Sequence, residues 1–133
     1  MKHVLGSAAC AALVLFSPLL MSGSLAQDSG TSYCAFLSET DHYNSKGVRL
    51  TTAGQVLRQD RANFHRFGLR DDWDDNDTLF MSAENRALLE QKATKELISE
   101  DLWTYIVNNE VYVCVDAYET LDGDADIAVW IAE

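Results

Sequence analysis

The sequence lacks the short motifs of the common enzyme classes. No G-x-S-x-G, Walker, C-x-x-C or H-E-x-x-H pattern occurs in its 133 residues. Nothing therefore points to a serine hydrolase, a nucleotide-binding loop, a thiol oxidoreductase or a zinc protease. Internal repeats and low-complexity tracts are absent too. The sequence predicts no cofactor.

Basic residues are scarce. Lysine and arginine total 10 against 21 aspartates and glutamates, for a formal net charge of −11. Such a balance argues against general affinity for nucleic acid or for an anionic membrane. Six basic residues nevertheless fall in one stretch that contains a single acidic residue, Asp60, which predicts one basic surface: Lys46, Arg49, Arg58, Arg61, Arg66 and Arg70.

The N-terminal residues 1–26 have the pattern of a secretory signal peptide. Lys2 precedes an apolar run from Val4 to Met21, and Ser24-Leu25-Ala26 forms a small-x-small cleavage site. The alternative is an uncleaved membrane anchor, since about 18 apolar residues can span a bilayer. A lipoprotein site at Cys10 is not favoured, because the apolar run continues past it. We expect cleavage after Ala26 and a periplasmic or secreted protein of residues 27–133.

Cysteine and histidine are few in that exported part. Cys34 and Cys114 remain, and in an oxidising compartment they predict a disulfide. It would close a loop of about 80 residues, which the chain-entropy model values at roughly 4–5 kcal/mol. Two free buried thiols are the alternative. With two histidines left, a structural zinc site is not expected.

Hydrophobic periodicity predicts one α+β domain. Apolar runs at Tyr33–Ser38, Glu110–Tyr118 and 127–132 are typical of strands, and Asp122-Gly123 predicts a hairpin turn between the last two. Helices are predicted from Thr51 or Thr52 to Gly68, from Ser82 through Gln91, and from Ser99 to Asn108. We expect about three helices packed on one face of a small antiparallel sheet.

The apolar stripe of the first predicted helix has one polar interruption. Ala53, Val56, Leu57, Phe64 and Phe67 recur at helical spacing. Asp60 falls on this stripe, so its carboxylate is either buried and paired or marks the edge of a pocket.

The sequence also predicts whether other apolar residues are buried or exposed. Ala93 and Leu97 would continue the stripe of the second helix. Trp103 and Trp130 fall on patterned core positions, whereas Trp73, in an acidic loop with five aspartates, is expected to be exposed.

The stretch from Asp41 to Gly68 is the densest in side chains capable of chemistry. Arg58, Arg61 and His65 are three or four residues apart on one predicted helix face, and His42 lies in the loop before it. Two imidazoles and a guanidinium suit a phosphodiesterase. The alternative is an ion-pair and hydrogen-bond network that pins the loop to the helix. The candidate binding residues are Asp41, His42, Arg58, Asp60, Arg61 and His65.

Two aspartate-rich loops are weak calcium candidates. Asp122, Asp124 and Asp126 alternate as in an EF-hand loop, with Glu133 at the twelfth position, but Ile127 replaces the required glycine. The loop of Asp72, Asp74 and Asn76 repeats the alternation without the remaining ligands. Solvated turns are the alternative at both places.

The runs DHYNSKGVRLT and RQDRANFHRF resemble motifs of a family of small uncharacterised secreted or periplasmic bacterial proteins. The resemblance covers nearly the whole exported chain and implies its architecture and its export, without an activity. The sequence thus favours an exported, noncatalytic binding protein whose partner is a protein or a small anionic ligand. A phosphoester hydrolase using His42 and His65, or a calcium-stabilised module, is the alternative.

Overall fold

The computed structural model describes residues 30–120 and 124–132. The predicted signal peptide, residues 1–26, lies outside the described residues, as do Asp122 and Glu133. The described chain runs strand, helix, helix, helix, strand, strand, with short helical turns between these elements. The predicted α+β architecture is therefore confirmed.

Three antiparallel strands form the sheet, in the order β1-β2-β3. Strand β1 spans Thr31–Leu37, β2 spans Val111–Glu119 and β3 spans Ala125–Ile131. Successive side chains of a strand point to opposite faces, so each strand contributes to a core face and to an outer face. The predicted N-terminal strand and C-terminal hairpin are both present.

The predicted disulfide joins the edge strand β1 to the central strand β2. Cys34 of β1 and Cys114 of β2 are direct partners in the register, and their sulfur atoms are bonded. The bond lies on the outer face, because the neighbours Tyr33 and Ala35 are buried in the core. A disulfide of this kind is consistent with an oxidising extracellular compartment.

Three α-helices cover the other face of the sheet. Helix α1 spans Ala53–Ala62, α2 spans Ala83–Lys92 and α3 spans Glu100–Asn108. Each begins at a predicted cap, where the hydroxyl of Thr52, Ser82 or Ser99 accepts a hydrogen bond from a backbone N–H of the first turn. In the part of the chain that the structure describes, no helix is long and apolar enough to cross a membrane.

The end of the first helix differs from the prediction. A single π-helical turn, Asn63–Phe67, follows α1, and Gly68 then stops it in the left-handed conformation at φ 67°. A π turn holds one more residue than an α turn, which rotates the last positions away from the stripe. Phe64 stays buried, but Phe67 is 45% exposed, so its predicted place in the apolar stripe was wrong.

The core lies between the helices and the inner face of the sheet. Apolar side chains of all three helices pack on alternate residues of the three strands. Its largest members are Tyr33, Leu37, Val56, Leu57, Phe80, Leu89, Ile98, Ile106, Val113 and Val115.

Two predicted core residues are exposed instead. Leu97 is 42% exposed and Ile98 is buried in its place, because α2 ends at Lys92 and the turn that follows breaks the helical period. Trp130 is also 42% exposed. It pairs with Cys114 across the sheet, on the outer face, which none of the helices in residues 30–120 covers. Trp103 packs against the core, as predicted.

The acidic loop covers the free edge of β1. Asp74 Oδ1 accepts a hydrogen bond from the Phe36 N–H, and Asp75 Oδ2 accepts one from the Cys34 N–H, both at 2.9 Å. The Asp75 N–H in turn donates to the Cys34 carbonyl at 2.8 Å. An uncovered edge presents such groups to other chains. Here carboxylates occupy the places that a fourth strand would take.

Candidate functional site

The loop histidine is held by backbone carbonyls. His42 lies in a short 3-10 turn, Glu39–His42, and is 2% exposed. Its Nδ1 lies 2.9 Å from the Ser38 carbonyl oxygen and its Nε2 lies 2.8 Å from that of Ile106. Both partners accept hydrogen bonds only. The ring therefore ties the loop to α3, and both of its nitrogens are occupied by backbone carbonyl oxygens.

The helix histidine belongs to a different group of side chains. His65 Nε2 lies 2.9 Å from Asp77 Oδ2, and the same oxygen accepts a hydrogen bond from Arg61 Nη1 at 2.9 Å. The structure thus brings Arg61 and His65 together, in agreement with their spacing. His42 shares no hydrogen-bond partner with His65, so the fold does not assemble the pair of imidazoles that acid–base catalysis would use.

One buried guanidinium serves two buried carboxylates. Arg61 is fully buried, with Nε 2.7 Å from Asp60 Oδ2 and Nη1 bonded to Asp77. Nη1 also donates to the Asp75 carbonyl at 3.1 Å. Of the two readings that the sequence left open for Asp60, the structure shows the buried and paired one. Removing a member of such a group strands a buried charge.

The two carboxylates differ in their other partners. Burial alone would raise the pKa of Asp77, but hydrogen bonds from the Phe80 N–H, His65 and Arg61 hold it below its usual range. Burial raises the pKa of Asp60 to about 7, against the lowering effect of Arg61. Burial disfavours the charged form of Arg61, yet Asp60 raises its pKa overall. Asp60 is therefore the member that exchanges a proton near neutral pH.

Aromatic rings enclose the same guanidinium. The Cζ atom of Arg61 lies 4.1 Å from the ring centroid of Tyr33 and 4.5 Å from that of Phe64. The Cζ atom of Arg70 lies 4.0 Å from the ring centroid of Phe64. Such stacking favours a cation through the quadrupole of the ring. The Tyr33 hydroxyl is buried without a hydrogen-bond partner among residues 30–120 and 124–132. Burial raises its pKa well above the ordinary value.

A third buried carboxylate, Asp41, fixes the loop to the end of α1. Asp41 Oδ2 accepts a hydrogen bond from the Ser38 N–H at 2.9 Å, and Oδ1 accepts one from Asn63 Nδ2 at 2.8 Å. Burial raises the pKa of Asp41 against these two hydrogen bonds. Together with His42, Asp41 makes this stretch a junction between the loop, α1 and α3.

Arg58 points away from this junction and into a surface cleft. It pairs with Glu90 of α2, and about half of its side chain is exposed. The cleft, of about 320 Å³, lies between α1, α2 and the loop at Asn44. Its lining combines three arginines with amide, hydroxyl and apolar side chains: Asn44, Ser45, Leu50, Gln55, Arg58, Gln59, Ala62, Arg66, Phe67, Ala83, Arg86 and Glu90. We call it the arginine cleft.

The arginine cleft carries an excess of positive charge. Its three guanidinium groups, of Arg58, Arg66 and Arg86, face a single carboxylate, Glu90. Arg66 forms no ion pair within the described ranges 30–120 and 124–132. A positive cleft in a chain of net charge −11 is a local departure from the whole.

Arg86 is the most firmly held of the three. Its Nη1 donates to the carbonyl oxygens of Phe80 at 2.7 Å and Met81 at 2.9 Å, which fixes the guanidinium in place. Burial lowers the pKa of Arg86, and the neighbouring charges of Arg58 and Arg66 lower it further. The three cations are thus close enough to repel one another.

The calcium candidates lie elsewhere, and their described oxygens bond to the backbone. Asp74 Oδ1 and Oδ2 accept hydrogen bonds from the N–H groups of Phe36 and Asp71. Asp126 Oδ1 accepts one from the Ile127 N–H at 2.9 Å. Asp124 is exposed, and its proposed co-ligand Asp122 lies outside the described residues.

Of the four charged residues that line the arginine cleft, sequence reasoning named only Arg58 as a candidate site residue. Arg86 and Glu90 lie one turn apart in α2, a helix that carried no candidate residue. Their place beside Arg58 depends on the close approach of two helices, which no local pattern reports. One signal was available at Gly54, a residue that weakens a helix unless close packing requires it.

Comparison of the chain with protein-family models, with curated proteins and with solved structures found no match. The resemblance carried by the two sequence motifs therefore stays a prediction, and the function has to be argued from the site.

Proposed function

We propose that this protein is an exported, noncatalytic binding protein that holds a small multivalent anion in the arginine cleft. The predicted signal peptide supports the export, and so does the disulfide between Cys34 and Cys114. The ligand class agrees with the small anionic ligand that the sequence favours.

The observation that carries the proposal is that Arg58, Arg66 and Arg86 line one cleft whose single carboxylate is Glu90. Like charges held together in a folded protein repel, and an anion between them removes that repulsion. Guanidinium groups also offer a planar pair of N–H donors that matches the oxygens of phosphate or carboxylate. The cleft therefore has both the charge and the kind of donor group that suit an oxyanion.

The remaining lining suits a compact, partly organic ligand. Gln55, Gln59 and Asn44 supply amide groups, and Phe67 supplies an exposed ring at the rim. The volume of about 320 Å³ is at the small end of the range for ligand pockets. Phosphate, sulfate and small di- or tricarboxylates are the compounds of this class to try first.

Thermal unfolding of the purified protein in phosphate, sulfate or citrate tests the proposal. A ligand at about a hundred times its dissociation constant adds roughly 2.7 kcal/mol to the free energy of unfolding, which raises the melting temperature by several degrees in a domain of this size. We expect the rise to disappear in the variant Arg66→Gln. The variant Lys95→Gln is the matched control, because Lys95 is exposed, pairs with Glu100 and lies outside the cleft.

Two results would count against the proposal. An equal loss in the Lys95→Gln control would mean that anions act through the overall charge of the protein. Hydrolysis of a phosphodiester that is abolished by His65→Ala would mean that the protein is an enzyme.

A further inference from the structure

The outer face of the sheet is aromatic. Phe36 of β1 pairs with Tyr112 of β2, and beside them Trp130 of β3 pairs with Cys114 of the disulfide. The helices of the described residues pack on the opposite face, and Phe36 and Tyr112 are half-buried. Trp130 is 42% exposed.

The acidic loop brings a fourth aromatic residue, Trp73, next to this sheet face through its backbone. The Tyr112 hydroxyl donates a hydrogen bond to the Trp73 carbonyl at 3.3 Å, and Trp73 is 71% exposed. A tryptophan that exposed is unusual, because its large apolar surface is usually buried at least in part. We call the group of Phe36, Tyr112, Trp130 and Trp73 the aromatic face.

Negative charge surrounds the aromatic face. The strands β1, β2 and β3 contain no lysine or arginine, and residues 96–133 hold ten acidic residues and no basic one. Burial raises the pKa of Asp71, and so do the nearby charges of Asp74, Glu110 and Asp72. Asp74 accepts hydrogen bonds from the N–H groups of Phe36 and Asp71, and Glu110 accepts one from the Glu39 N–H. These carboxylates therefore gather at the end of the sheet where Phe36 and Tyr112 lie.

We propose that the aromatic face docks a basic, lysine- and arginine-rich segment of a partner protein. A cation over the face of tryptophan or tyrosine is attracted by the ring quadrupole, and the surrounding carboxylates attract it further. The aliphatic stems of lysine and arginine would cover the apolar part of the same rings.

Charge favours a basic segment over the other possible occupants of the aromatic face. A second copy of the chain would bring its own acidic rim against the first, at a net charge of −11 for each, and like charges across an interface are unfavourable. An anionic lipid surface or a nucleic acid is repelled for the same reason. The proposal is independent of the anion site, because the arginine cleft lies in the helical layer and the aromatic face lies on the other side of the sheet.

Fluorescence anisotropy of a labelled oligo-lysine peptide, titrated with the oxidised protein at low ionic strength, tests the docking surface. We expect saturable binding that weakens about tenfold when Trp73→Ala and Trp130→Ala are combined, since each exposed cation–π contact accounts for a factor of a few. Circular dichroism and the melting temperature establish that the double variant is folded.

Two charge-matched pairs separate docking from diffuse attraction. Asp71→Asn with Asp72→Asn removes two charges at the aromatic face. Glu96→Gln with Asp101→Asn removes two exposed charges at α3 and the turn before it. We expect the first pair to weaken binding several-fold more than the second. Equal effects of the two pairs, an unchanged affinity of the tryptophan double variant, or no binding of the peptide would each overturn the proposal.

Discussion

Gly54 of α1 lies directly against the backbone of Glu90 in α2. A β-carbon at position 54 would overlap the Glu90 carbonyl oxygen. One turn further along α1, Arg58 pairs with the Glu90 side chain. The absence of a side chain at one residue thus sets the spacing of the two helices that form the arginine cleft.

We expect the variant Gly54→Ala to destabilise the protein, which is the opposite of the usual effect of replacing a helical glycine by alanine. Alanine normally stabilises a helix relative to glycine by about 0.5–1 kcal/mol. Here we expect a loss of roughly 1–3 kcal/mol, the usual result of overpacking, because the clash is with backbone atoms that cannot rotate away. Urea unfolding measures the change. A more stable variant would show that the helices separate without cost.

The free energy of unfolding should depend on pH through Asp60. Its pKa is raised from 3.8 to about 7 in the folded protein, so the folded state keeps a proton that the unfolded chain has released. Stability from this group is therefore complete below about pH 4 and is lost as the pH rises toward 7. The slope contributed by one such group is at most about 1.4 kcal/mol per pH unit.

The variant Asp60→Asn isolates that contribution. Asparagine keeps an oxygen for Arg61 but does not titrate, so we expect a smaller fall in stability between pH 4 and 7 than in the unmodified protein. Urea unfolding at a series of pH values measures both slopes. Parallel curves for the two proteins would exclude Asp60 as the titrating group.

Tyr33→Phe should stabilise the protein. The hydroxyl of Tyr33 is buried without a hydrogen-bond partner in the part of the chain that the structure describes, and an unsatisfied buried polar group costs about 1–3 kcal/mol. Phenylalanine keeps the ring that stacks on Arg61. We expect the melting temperature to rise, whereas Tyr33→Leu, which removes the stacking too, should lower it.

Asp74→Ala should uncover the edge of β1. The change removes the acceptor of the Phe36 N–H, for which we expect a loss of about 1 kcal/mol. An uncovered edge also favours pairing between chains, so association that increases with protein concentration should appear in analytical ultracentrifugation. Asp72→Ala, at an exposed position of the same loop, is the control. Equal behaviour of the two variants would contradict this role of Asp74.

The sequence was sufficient for the architecture because its local signals agree with one another. Thr52, Ser82 and Ser99 begin helices through their own hydroxyl groups, and alternating valines mark β2. Trp130 was assigned to the wrong face of a regular strand. The two other errors occurred where the backbone departs from a regular period. The π turn displaced Phe67, and the end of α2 at Lys92 displaced Leu97.

The site was predicted less well, because its members come from segments distant in sequence. Spacing within one helix placed Arg61 beside His65, but it could not show that both bond to Asp77. Nor could it show that Arg58 lies apart from Arg61 and His65 and bonds to Glu90 of α2. The sequence also could not show which arginines are buried, because a periodic pattern does not distinguish a buried arginine from an exposed one.

The most direct test of anion binding follows the arginine side chains themselves. In an NMR titration of the isotope-labelled protein with phosphate, each Nε–Hε resonance is assigned by a single arginine variant. The resonances of Arg58, Arg66 and Arg86 should move together along one saturating curve, while those of Arg49, Arg61 and Arg70 stay in place. Proportional, unsaturated movement of all six resonances, or no movement, would contradict the assignment of the arginine cleft as the binding site.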